Sequence, residues 1–232
     1  MALLSAGYFL FRFCIDFITW QINFIYSRMG KIFGVVILYN PLPEVKRNVA
    51  SYLHFVDKLI VIDNSEPASA IDFSDFGDKL VVLADGVNKG IAARLNTAAA
   101  LAIKEGVDWL LTMDQDSFFD EGVLGIYFSC VSSFKGSRRV AMFGLEYEKR
   151  PVHTDCSFFE SDNLITSGSM VNMDVFQNIG GFDEQLFIDE VDAEYCLRGN
   201  VNGFKTIHFK NIFMDHSLGT VSQHRSLKSL RE

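Results

Sequence analysis

The chain has 232 residues, 49% of them hydrophobic and 22% charged, with a formal net charge of −8. That length fits one domain burying roughly 70% of its unfolded surface, enough for a full sheet covered on both faces, and requires no second domain. The acidic balance excludes an ordinary nucleic-acid binder, which needs a basic face, and obliges a protein that handles an anionic ligand to bring a metal or local basic groups to it.

Residues 2–26 are almost wholly apolar or aromatic, but Arg12 and Asp16 interrupt the run. No uncharged stretch reaches the roughly 18 residues of a spanning helix, and no basic start with a small-residue cleavage site marks a signal peptide. Residues 1–30 therefore read as an apolar helical segment, with Arg12 and Asp16 paired at i,i+4 and Arg28 and Lys31 behind it. Such a segment suits a membrane surface, a partner groove or its own domain. Cys14, Cys130, Cys156 and Cys196 form no CxxC pair. Their scatter is expected of core thiols in a reducing, cytoplasmic compartment rather than of a disulfide frame or zinc site.

From Lys31 strands and helices alternate. Residues 32–39 form a continuous apolar strand, and Pro43 sits in the first turn of a helix running to about residue 56. Strands follow at 59–62 and 80–84, then an alanine-rich helix at 91–105 ended by Gly106, and a strand at 108–113. A helix at 122–134, a strand at 140–145, a long polar stretch at 146–162 and a helix from near Phe187 complete the pattern. The expectation is an α/β fold: a mainly parallel sheet flanked by helices, with the domain at 31–219 and a polar tail at 220–232.

The apolar run Trp109-Leu110-Leu111-Thr112-Met113 stops at Asp114, Gln115 and Asp116, followed by Ser117. Carboxylates at the carboxyl end of a buried strand stand where open α/β sheets place ligands, and both acids are expected in the turn, facing a divalent cation. Earlier strands end in Tyr39 and Asn40, in Asp63 and Asn64, and before Asn88, Lys89 and Gly90. One polar loop is ordinary turn chemistry, but four in succession, the last with paired acids, are better explained by a nucleotide-sized pocket. In it Asp63 accepts the ring N–H of a pyrimidine, Asn88, Gly90 and Arg94 lie near ribose or phosphate, and the glycine lets backbone come close.

The strings VVILYNP, VIDNS, NKGIAARLN, LLTMDQDS, TSGS, GGFDEQLFIDEVDAEYCLR and DHSLG, in this order, resemble family 2 glycosyltransferases of the GT-A fold, most closely the bacterial rhamnosyltransferase branch. The likeness runs from Lys31 to Gly219 and says nothing about residues 1–30. It implies that Asp63 recognises the base, that Asp114 faces the ribose, and that Asp116 and His216 ligate Mg²⁺ or Mn²⁺ on the diphosphate. It implies Asp192 as the general base. Val191 replaces the usual leading acid of that motif, leaving Asp189, placed at i and i+3 on a helix from near Phe187, as the alternative. Taken alone, these acids would be ordinary helix N-terminal charges, worth about 0.3–1 kcal/mol.

An acceptor hydroxyl is a poor nucleophile, so a carboxylate takes its proton while a cation neutralises the departing diphosphate. The resemblance implies an inverting transfer, with rhamnose on dTDP as the leading donor and a lipid-linked or cell-surface glycan as acceptor. A nucleotidyltransferase would carry a glycine-rich basic loop after its first strand, and LYNPLPEVKRN has no glycine. Relatives of this branch continue past DHSLG, which leaves open a truncated, nucleotide-sugar-binding protein without an acceptor site.

Overall fold

The computed structural model describes residues 29–147 and 155–216. The apolar segment expected at 1–30, apart from its last two residues, and the tail at 220–232 lie outside the described residues.

β1 (Ile32–Leu38) is buried along its whole length, as a seven-residue apolar run in the middle of a doubly covered sheet must be. Its side chains alternate between two cores. Ile32 and Val36 face one side with Tyr52, Tyr127 and Phe209, and Phe33 and Val35 face the other with Leu95, Ala98 and Tyr195. α1 (Val45–Leu53) and α3 (Val123–Ser133) cover the first face. α2 (Gly90–Lys104), α4 (Met173–Ile179) and α5 (Val191–Val201) cover the second. The alanines Ala92, Ala98, Ala99 and Ala102 are fully buried, and their small side chains let α2 lie close on the sheet.

β2 (Lys58–Asp63), β3 (Leu80–Ala84) and β4 (Trp109–Asp114) join β1 by parallel pairing. The later strands are β6 (Val140–Glu146), β7 (Phe158–Glu160), β8 (Ser169–Asn172) and β9 (Lys205–Phe213). They extend the sheet to eight strands in the order β3-β2-β1-β4-β8-β6-β9-β7. β8 runs antiparallel to both β4 and β6, so the expected parallel sheet is parallel through its first half and mixed beyond β4. A separate two-stranded ribbon pairs β5 (Ser117–Phe118) with β10 (Asp215–His216) and folds the late histidine back onto the acidic turn.

Two expectations are corrected here. Cys130 of α3 is disulfide-bonded to Cys156, and among the described residues only buried Cys196 is a free thiol. The partners stand 26 residues apart in sequence, a spacing that carries no signal until the fold brings their Cα atoms to 5.3 Å. The thiol argument for a reducing, cytoplasmic compartment therefore falls away. Secondly, no helix begins near Phe187: the chain there has positive φ at Phe187 and Glu190, and α5 starts only at Val191. Among the described residues no helix is long and apolar enough to cross a membrane.

Candidate active site

A cleft of about 580 Å³ opens at the carboxyl ends of the parallel strands. Tyr39 reaches it from β1, Asn64 from β2, Asn88 from the loop after β3, and Asp114, Gln115 and Asp116 from β4, so the strand ends do converge on one crevice. Asp114 is the last residue of β4, and only Gln115 and Asp116 form the turn, contrary to the expectation that both acids lie in it.

His216 pairs across the ribbon with Ser117, next to that turn. Asp114, Asp116 and His216 each offer a ligand atom, all within 4.8 Å of one another. Two carboxylates and an imidazole are a donor set that fits Mg²⁺ or Mn²⁺. Electrostatics favour a cation there. Burial pushes the Asp114 carboxyl up to about 6; His216 draws it down, while Asp116 and Asp192 add to the rise. His216 is fixed by a chain of hydroxyls: Asp114 donates its N–H to Ser167 Oγ (3.1 Å), Ser167 Oγ donates to Ser117 Oγ (2.8 Å), and Ser117 Oγ lies 2.6 Å from His216 Nδ1. Tyr147 stands edge-on to the imidazole, with ring centroids 6.2 Å apart.

Asp192, in the first turn of α5, faces the same cleft. Its Oδ2 accepts the Thr166 N–H at 3.3 Å and its Oδ1 the Ala193 N–H at 2.9 Å, which aims the carboxylate. Asp189 is exposed, precedes the helix and is not among the residues lining the cleft. It therefore shares no helix face with Asp192.

Other expected nucleotide contacts are placed differently. Asp63 is 3% exposed and is not among the residues lining the cleft, its two oxygens accepting the N–H groups of Ser65 (3.0 Å) and Ser69 (2.6 Å). Arg94 is buried away from the cleft, Nη1 donating to Asp85 Oδ2 at 3.1 Å and Nε to Asn64 Oδ1 at 2.8 Å. It braces Asn64, which also bonds Asn88 at 2.8 Å. Asn40, with φ 46°, donates its N–H to Ser65 Oγ at 2.8 Å and lines a smaller groove on the other side of Asp116. Gly90 does line the cleft, but the backbone it admits is the protein's own: a Cβ there would stand 2.6 Å from the Phe187 carbonyl oxygen.

The sequence reading missed Gln115, Ser167, Thr166 and Tyr147 as site residues. Gln115 lies between the two acids, and Thr166 and Ser167 lie in TSGS; Tyr147 carried no signal.

A mixed sheet with a polar crevice and an acid–histidine cluster at its switch point is the arrangement of the GT-A fold. The chain matches a solved structure of that kind, "GalNAc-T7 with UDP, GalNAc and Mn2+", with a TM-score of 0.61 and 11% identity over 81% of its length. It spans only 44% of that protein. Residues 35–127 match the family "Glycosyl transferase family 2". The chain is 26% identical over 213 residues to "dTDP-rhamnosyl transferase RfbF" of Shigella flexneri, covering 83% of itself and 71% of that relative. The chain is thus similar to family 2 glycosyltransferases, and among them to a rhamnosyl transferase.

Proposed function

We propose that the protein is an inverting, metal-dependent rhamnosyltransferase that moves rhamnose from dTDP-rhamnose to a glycan or lipid-linked acceptor in cell-surface polysaccharide synthesis. The carrying observation is that Asp192 and the Asp114–Asp116–His216 cluster open onto one cleft of about 580 Å³, within the size range of small-ligand sites. The donor identity is supported by the similarity to the Shigella flexneri protein.

In this reading Asp192 receives the proton of the acceptor hydroxyl as that oxygen attacks the anomeric carbon. The bond from that carbon to the nucleoside diphosphate breaks in the same step, its electron pair leaves on the diphosphate, and a single displacement inverts the centre. Thr166 and Ala193 hold the carboxylate in its direction through their N–H groups. When bound by Asp114, Asp116 and His216, Mg²⁺ or Mn²⁺ supplies charge neutralisation for the departing diphosphate. Tyr39, Asn64 and Asn88 surround the nucleoside, with Asp63 setting the loop beneath it. The apolar sequence of residues 1–30 suits contact with the membrane surface that carries a lipid-linked acceptor.

The test is to incubate the protein with dTDP-rhamnose, Mn²⁺ and a panel of glycan and lipid-linked acceptors, following dTDP release and product mass. Transfer with inverted configuration supports the reading. Donor binding with neither transfer nor hydrolysis would replace it by a non-catalytic nucleotide-sugar binder.

A further inference from the structure

β7 is a free edge of the sheet, and both of its phenylalanines remain exposed, Phe158 to 47% and Phe159 to 39%. Successive residues of a strand point to opposite faces, so each face of this edge carries one aromatic ring. Phe158 meets Phe134 edge-on, with ring centroids 5.0 Å apart, and Phe159 stacks on His208 at 4.9 Å. Each ring also has a lysine beside it. Lys135 and Phe158 border a groove of about 330 Å³ walled by Phe134, Phe209 and the Cys130–Cys156 disulfide. Lys210 Nζ stands 5.5 Å from the centre of the Phe159 ring.

Both lysines are exposed, and among the described residues neither forms an ion pair with a carboxylate. The acids of this edge are engaged elsewhere: Glu160 pairs with Lys205, and Asp155 Oδ1 accepts the Ser157 N–H at 3.0 Å and Asn211 Nδ2 at 2.8 Å. Arg138 and Arg139 follow Lys135 in the turn before β6, which makes the edge cationic on a chain of net charge −8. Exposed aromatic rings beside long-stemmed cations suit the boundary of a bilayer, where the ring and the lysine methylenes bury in hydrocarbon and the ammonium reaches the phosphates.

We propose that the β7 edge is a docking surface for an anionic lipid bilayer. Phe158 and Phe159 enter the interface, hydrocarbon fills the groove beside Phe158, and Lys135 and Lys210 meet the lipid phosphates. This surface is built from the described fold, is separate from residues 1–28, and does not rest on the glycosyl-transfer reading. A second copy of the chain is a poorer occupant, because a two-fold contact would press the unpaired lysines of both copies together and β7 offers only three residues to pair. β7 lies at the side of the sheet and the cleft at the strand ends, so docking leaves the cleft open.

The experiment is flotation of the full chain with vesicles of phosphatidylcholine alone or mixed with phosphatidylglycerol. The wild-type protein should bind the anionic vesicles roughly tenfold or more tightly than the neutral ones, and less tightly as salt is raised. Lys135→Glu and Lys210→Glu should each weaken anionic-vesicle binding about threefold or more, while Lys104→Glu, the same change of charge on α2, should alter it less than about twofold. Phe158→Ser with Phe159→Ser should weaken it about fivefold or more. All three lysines are exposed, so if the phenylalanine variant does not fold, the lysine variants decide alone. Absence of wild-type binding overturns the proposal, as does wild-type affinity in Lys135→Glu and Lys210→Glu, which would assign the membrane contact to residues 1–28. Equal weakening by Lys104→Glu would reduce the effect to overall charge and overturn it too. A dimer seen by sedimentation without lipid and dissociated by the same variants would give the edge to a second copy instead.

Discussion

The side-chain amide of Gln115 grips the main chain of Tyr39 in both directions, Oε1 accepting the Tyr39 N–H at 2.9 Å and Nε2 donating to the Tyr39 carbonyl at 3.1 Å. The Gln115 carbonyl in turn accepts from Asn48 Nδ2 at 2.9 Å. The loop after β1 and the acidic turn after β4 are thereby held as one unit, and both line the cleft.

Gln115→Ala should lower donor affinity about 3–10-fold, because two hydrogen bonds worth about 1 kcal/mol each no longer position the loop. Calorimetry with dTDP and a thermal melt check this. A lowered Tm with unchanged nucleotide affinity would make the clamp purely a matter of folding.

Asp116→Ala removes one hard oxygen from the cluster while leaving the core untouched, since its side chain is 39% exposed. Metal-dependent donor binding should disappear, and Tm should change by no more than a few degrees. Titration of Mn²⁺ into the protein is the direct measurement. Wild-type metal affinity in the variant would remove Asp116 from the metal site.

Much of this was legible in the chain because the signals are local. Continuous apolar runs marked the central strands, and the abrupt switch to polar residues at Asp114 marked the sheet edge. What was hidden depends on partners distant in sequence. Gln115 meets Tyr39 across 76 residues, and Ser117 meets His216 across 99. Phe187, Ile188 and Val191 have helix-like apolar spacing, but the positive φ angles at Phe187 and Glu190 interrupt it. Gly90 lines the cleft and the chain it leaves room for is the segment at Phe187, because sequence names the need for space but not the neighbour.

Asp63 supplies a pH test. Burial raises its carboxyl, but the hydrogen bonds from Ser65 and Ser69 outweigh that and hold it below the usual carboxylate range. A depressed folded value means stability that is present above the unfolded value, near 4, and lost as pH falls through the folded one. Asp63→Asn should therefore cost about 1–2 kcal/mol at pH 7, and the gap to wild type should narrow below about pH 4. Urea unfolding at several pH values measures it. A pH-independent gap would mean that the charge of Asp63 does not stabilise this loop.

The two acids before and within α5 make opposite predictions. Asp192→Asn keeps shape and polarity but removes basicity, so donor and Mn²⁺ should bind as in wild type while transfer falls roughly 10²–10⁴-fold, the usual contribution of a positioned general base. Asp189 is exposed, outside the cleft-lining set and ahead of the helix, so Asp189→Asn should alter transfer by less than about threefold. Single-turnover transfer to a verified acceptor, with donor affinity measured in parallel, separates chemistry from binding. If the ranking is reversed, the strained segment from Phe187 to Glu190 must refold on binding donor or acceptor to bring Asp189 inward, because in the present arrangement only Asp192 is aimed into the cleft, by Thr166 and Ala193.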